Sequence, residues 1–266
     1  MAFSSSNKRL ALSLAVYAGW VAITLGVGRL LSDGKKHPLA DSISHSPAWN
    51  IIAAAAFVVG MAWLFGWRDL RFVQPRPWKS LRVMWLPALY IIAFLSMSAY
   101  LGPVPVAVMG YVFVNTLFVG LSEEAMFRGV LFRALAARVR PWPAVILTCL
   151  LFGSVHVLNV FGTGEFWPAV IQAATAAMSG LAFVAIVLRT GSIWPAIIYH
   201  ALWDFGTFML SNHTMALDKP GAVGGYAFLI PALLVLPNFL FGLYLLRNLR
   251  NDTRLDVEGD VLRPQG

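Results

Sequence analysis

An all-α, polytopic integral membrane helix bundle of about eight transmembrane helices is the fold the sequence predicts. Three observations carry it. Only 12% of the 266 residues are charged and 59% are hydrophobic, where a soluble domain carries about 25% charged residues. The mean hydropathy is +0.71. The apolar residues gather into eight runs near the length of a membrane span, about 20 residues each. These are 10–31, 48–67, 81–101, 106–127 (with a helical pattern onward to 138), 143–161, 167–188, 192–211 and 226–246. They use nearly the whole chain, so 1–247 reads as a single transmembrane domain and 248–266 as a polar cytoplasmic tail.

Taken in order, the first run follows a short basic stretch, residues 1–9. It is too long for the 7–15-residue core of a signal peptide, so it reads as the first span. Polar links such as 32–47 and 211–225 separate later runs. The sixth run carries Ala173 and Ala177, then Ala176 and Gly180, at four-residue spacing. Small residues in that rhythm let membrane helices approach closely, and packing alone accounts for them. No internal repeat is visible, and the single cysteine, Cys149, rules out an intrachain disulfide.

The net charge of +8 would suggest nucleic acid in a soluble protein. Here the basic residues flank apolar runs, which is the topology signal of a membrane protein. No nucleic-acid partner is expected; the lipid bilayer is. With the N-terminus inside, sixteen Lys and Arg fall on the inner side, among them Arg68, Arg71, Arg76, Lys79, Arg82, Arg138, Arg140 and Arg247. Only Arg29, Lys35, Lys36 and Lys219 fall outside. Both termini are therefore expected in the cytoplasm, and the inner membrane of a bacterial cell is the expected location.

One run breaks the apolar rule: Ser122-Glu123-Glu124-Ala125-Met126-Phe127-Arg128. A charge in hydrocarbon costs at least ~2.5–3.5 kcal/mol, and such residues usually face a bundle interior or a wet cavity. On a helix Glu124 and Arg128 share a face, while Glu123 is turned roughly 100° away. The arginine can hold one carboxylate and leave the other free. Three further ionisable residues lie inside apolar runs: His156, and His200 with Asp204 four residues on. A membrane histidine taken alone is often a packing residue, and Glu124–Arg128 alone could be a structural ion pair. Together, on three spans, they are most simply explained by one shared polar cavity.

Such a cavity suits hydrolysis without a covalent nucleophile. A desolvated carboxylate and a histidine can take a proton from a shared water. A second histidine and acid can meet a carbonyl oxygen as it becomes an oxyanion. The same residues are also metal ligands, so a zinc hydrolase is chemically open. Other schemes fit less well. There is no HExxH, and Ala177-Met178-Ser179-Gly180 is only a partial copy of the rhomboid GxSG. Cys149 lies seven residues before His156, about 10 Å along a helix, too far for activation, and reads as a core residue.

These motifs in this order resemble those of the CAAX protease and bacteriocin-processing (CPBP, or Abi) family of intramembrane endopeptidases. The family pattern is EExxxR, FxxxH and HxxxN or HxxxD, here Glu123-Glu124…Arg128, Phe152…His156 and His200…Asp204. The run from Arg189 to Ile197 before His200 is also similar, and the likeness covers about 108–210. The resemblance implies an intramembrane endopeptidase acting on a membrane-associated peptide or protein. It implies Glu123 as the base that activates water with His156, and Glu124 with Arg128 as the pair that keeps the site in shape. It gives His200 and Asp204 to substrate binding or the oxyanion. The family is described both as metalloproteases and as metal-free glutamate enzymes. If a divalent metal such as zinc is used, Glu123, His156, His200 and Asp204 are its candidate ligands; the glutamate mechanism needs no cofactor. Asp204 stands where prenyl-processing members resemble Asn, so it must be protonated, orient His200 or help bind a metal.

Two other readings stand beside the protease. One is a catalytically silent bacteriocin-immunity or secretion-accessory protein, against which the intact motifs count. The other is a proton-coupled transporter, which would be expected to show repeated halves. The charge bias gives a direct test of topology. A reporter fused at Asp41 should report the outer side and one near Lys79 the inner; an externally placed Lys79 contradicts the orientation.

Overall fold

Prolines and glycines punctuate the apolar runs where the helices turn. Pro141 opens one helix as its first residue, where its missing N–H costs nothing. Gly191 closes another in the left-handed region (φ 66°), a conformation that glycine adopts without a Cβ penalty. The computed structural model describes residues 5–32, 34–216 and 230–249, and among them there is no strand. The helices run in order α1 (Ser5–Leu31), α2 (Leu39–Ser44), α3 (Trp49–Leu64), α4 (Trp85–Leu101) and α5 (Val106–Glu124). A wide turn (Ala125–Leu131) then leads into α6 (Phe132–Ala136) and α7 (Pro141–Val155). A 3₁₀ turn (His156–Asn159) precedes α8 (Val160–Thr163), α9 (Phe166–Thr190), α10 (Trp194–Ala216) and α11 (Ile230–Leu246).

Every expected apolar run holds a helix, and the all-α membrane bundle stands. Five stretches are long and apolar enough to cross a membrane: Ser6–Leu31, Trp78–Leu101, Val106–Ala136, Pro141–Thr163 and Phe166–Thr190. Trp49–Leu64 and Ile230–Leu246 are apolar but shorter. α10 is long but carries His200, Asp204 and His213, and it does not reach the apolarity of the five. The count of eight spans thus has five clear members among the described residues. Lys219 and all but the start of the 248–266 tail lie outside the described residues.

The helical pattern expected onward from 106–127 continues to Ala136, and within it Ala125–Leu131 is a π-helical turn. A π turn carries an extra residue, and such turns are often found at functional sites. Here its width is filled, since all seven residues from Ala125 to Leu131 are buried. The turn starts immediately after the two glutamates and contains Arg128.

Close helix contacts then set the site. Gly120 lets α5 rest on the α10 backbone, since a Cβ there would stand 2.7 Å from the Ile197 carbonyl. Gly153 does the same for α7 on α9, where a Cβ would stand 2.5 Å from the Ala173 carbonyl and 2.7 Å from Ala177 Cβ. The small residues of the sixth run therefore do receive a neighbouring helix. Below these contacts lies one apolar core that includes Val16, Trp20, Phe127, Phe152, Ile186, Ile193 and Ile197.

Candidate active site

The arrangement begins with Arg128, which is fully buried, as is Glu124. The i,i+4 spacing closes as expected: Arg128 Nη1 donates to Glu124 Oε1 at 3.0 Å. Arg128 Nη2 donates to the Gly180 carbonyl at 3.3 Å. The guanidinium carbon stands 4.1 Å from the centre of the Phe152 ring and 5.0 Å from that of Phe183. Rings flanking a desolvated cation add a favourable electrostatic term. Gly180 is what makes the space, because a Cβ there would stand 3.2 Å from both Arg128 Nη2 and Phe152.

Glu124 Oε1 has a second partner that sequence spacing could not reveal. His200 Nδ1 lies 2.8 Å away, and facing a carboxylate it is the donor. The same imidazole stacks on Phe183, with ring centres 4.8 Å apart and planes inclined by 16°. That leaves His200 Nε2 pointing at Glu123 Oε2 (3.7 Å) and Asp204 Oδ2 (3.6 Å). His156 is held likewise: its Nδ1 lies 2.9 Å from the Phe152 carbonyl, to which it must donate. Its Nε2 then faces Glu123 Oε2 at 3.9 Å. Orienting bonds on Nδ1 fix the tautomer and present the other nitrogen.

All six residues named from the sequence therefore gather in one place, on α5 and its π turn, the end of α7, and α10. Glu123 Oε2 is buried and makes no hydrogen bond within the protein, and the same holds for the second oxygen of Glu124. Glu123 lines the floor of a cavity of about 1480 Å³, together with His156, His200 and Asp204. Asp204 is the most open of these, its side chain 23% exposed. Among the described residues no group of three or more His, Cys, Asp or Glu side chains is arranged to hold a metal ion. Cys149 is buried among the α7–α9 contacts rather than at the cavity. His213, near the end of α10, makes a hydrogen bond of 3.2 Å with Ser98 Oγ.

Phe183 and the room-making role of Gly180 were not read from the sequence. The only signal was their spacing of three on the sixth run, one helical turn, which by itself means packing. Trp20 was also missed; its Nε1 donates to Ser122 Oγ at 2.8 Å and ties α1 to the acidic stretch.

Residues 105–206 match the family model described as type II CAAX prenyl endopeptidase Rce1-like. No curated protein and no solved structure matches the chain. The matched segment contains all six residues of the cluster.

The packing around Arg128 gives a prediction. Gly180→Leu must displace Arg128 or Phe152 and should lower stability by about 1–3 kcal/mol, the usual range for overpacking. Gly60→Leu, on α3 where an added Cβ would have nothing within 4 Å, should melt like the wild type. Equal melting temperatures for all three proteins in detergent would contradict the account of this pocket.

Proposed function

Since the chain carries, over residues 105–206, an Rce1-like domain of the CPBP family, the domain of CAAX-type intramembrane proteases, we propose that it hydrolyses a peptide bond of a membrane-associated substrate with a water activated by Glu123 and His156. The observation that carries this reading is Glu123 Oε2. It is buried, without a hydrogen bond in the protein, and faces two imidazole nitrogens at 3.7 and 3.9 Å. Glu123 Oε2 and His156 Nε2 are both acceptors once His156 Nδ1 donates to Phe152. A substrate water fits between them by donating one hydrogen to each, which turns its oxygen lone pair outward.

In the first step the water oxygen attacks the carbonyl carbon and its proton passes to Glu123. The carbonyl π pair moves onto oxygen, which becomes the oxyanion. Charge developing there is met by His200, whose Nε2 donates when it carries a proton. Asp204, 3.6 Å from that nitrogen, acts through His200 as a positioning residue. In the second step Glu123 returns the proton to the leaving nitrogen and the C–N bond breaks. Glu124 and Arg128 touch no reacting atom; they hold His200 and neutralise each other. No step is routed through a metal, because the side chains are not arranged as a ligand set. On this reading the protein is an eight-span protein of a bacterial inner membrane with both termini in the cytoplasm; the distribution of Lys and Arg supports that orientation.

The test is terminal proteomics of membranes from cells with the wild-type protein, with Glu123→Gln, and without it. New peptide termini should appear with the wild type and fall by about 10²–10⁴-fold in rate with Glu123→Gln, the usual weight of a general base. The variant should melt like the wild type, since Glu123 Oε2 bonds nothing in the protein. Cleavage should also survive exhaustive chelation. Activity lost to a chelator and restored by one metal per chain would replace this mechanism with a metal-dependent one.

A further inference from the structure

The two ends of the bundle differ in a way that fixes how a substrate arrives. At the end carrying most Lys and Arg, the connections are stitched together and the site is covered. Arg9 pairs with Asp69 at 3.1 Å. Ile193 N donates to the Arg71 carbonyl at 2.9 Å, and Arg76 N to the Thr190 carbonyl at 3.2 Å. Between this end and Glu123 lie Phe127, Arg128, Leu131 and Phe152, each at most 1% exposed. No residue of the basic connections 68–82 or 137–141 lines the cavity.

At the opposite end the cavity opens. Its walls run from Glu123 and Asp204 up past Trp203, Thr207 and Ser179 to a mouth built by residues within 34–48 and 156–162. This mouth is a fixed structure. Buried Asn115 donates to the carbonyls of Ile43 (2.9 Å) and Ser46 (2.8 Å) and accepts from Ala48 N (2.8 Å). Lys36 Nζ donates to the Phe161 carbonyl, and His37 N to the Gly162 carbonyl at 3.3 Å. The cavity, about 1480 Å³, exceeds the ~300–1,000 Å³ of small-molecule pockets and suits a length of peptide.

We propose that the site is reached from the face opposite the basic ends of the helices, which the distribution of Lys and Arg makes the extracytoplasmic face, and that its substrate is a peptide segment presented on that side of the membrane rather than a cytosolic chain end. Lys and Arg mark the cytoplasmic ends of spans, and hydrocarbon-level water reaches Glu123 only where the bundle opens. The route of access stands on the cavity and the distribution of Lys and Arg; the substrate class rests on the protease reading above.

The experiment uses the full chain with Cys149→Ala as background and single cysteines at Ser179, Lys36 and Lys79. Ser179→Cys is a near-isosteric change on the cavity wall, Lys36→Cys sits at the mouth and Lys79→Cys on the basic end. A membrane-impermeant sulfonated maleimide is applied to spheroplasts. Ser179→Cys and Lys36→Cys should label fully without permeabilisation, Lys79→Cys only after it. Labelling of Ser179→Cys only after permeabilisation, or in neither state, overturns the inference. Adding Glu123→Gln should leave the pattern unchanged, because access does not depend on turnover. The Glu123-dependent termini should map to extracytoplasmic segments of their parent proteins. If they map to cytoplasmic segments, the substrate class falls and the enzyme reading stands. If no termini depend on Glu123 while Ser179→Cys labels from outside, the enzyme reading falls and the access route stands.

Discussion

A guanidinium with no exposed surface is the constraint from which the rest of this site follows. Arg128 is buried completely beside an equally buried Glu124, and an unpaired charge in that setting would cost several kcal/mol. Around it the protein sets a carboxylate, a backbone carbonyl and two aromatic rings, while its Nε makes no hydrogen bond. Each of those partners is itself placed by a helix contact. Gly180 must lack a side chain, Phe152 must sit at the end of α7, and Phe183 must follow Gly180 by one turn on α9. Glu124, committed to Arg128, then has one further bond to offer, and His200 takes it. The imidazole is thereby turned so that Nε2 faces the cavity. Glu123, next in sequence but on another face, keeps an oxygen that faces two imidazoles without a hydrogen bond.

Short-range geometry is why part of this was legible in the sequence. Glu124 and Arg128 are four apart, and their 3.0 Å bond follows from helical spacing alone. His200 and Asp204 are four apart too and do lie near each other at 3.6 Å. Charge in apolar runs was enough to nominate all six residues. The links across helices were not legible, since the His200–Glu124 bond spans 76 residues of sequence. Nor was the π turn, because its pattern of apolar residues is that of an α-helix, and it is tertiary burial that settles the difference. Gly180 shows the ambiguity in one residue. In sequence it is a small residue among small residues; in the structure it is the space into which Arg128 fits. Fold class was legible for a simpler reason, as eight apolar runs with flanking cations leave a soluble fold no room.

The asymmetry of the bundle connects stability with function. Aromatic and aliphatic packing beneath Arg128 closes the basic end and keeps the buried pair dry. The opposite end is held open by backbone bonds from Asn115 and the links it clamps. A carboxylate at the junction of these two regions is shielded yet within reach of a large cavity, as the proposed role of Glu123 as base requires. The Rce1-like segment, 105–206, supplies every residue of the cluster, whereas α1 and residues within 34–48, outside it, supply the Trp20 tether and the mouth.

The central claim is that Glu124 belongs to Arg128 and His200, and so leaves Glu123 free. A double-mutant cycle on Glu124→Gln and Arg128→Met, read by melting in detergent, tests it most directly. Each single change strands a buried group and should cost about 3–5 kcal/mol. The double variant should recover part of that loss, with a coupling of roughly 0.5–3 kcal/mol. Simple addition of the two losses would show that the pair is not the constraint described here.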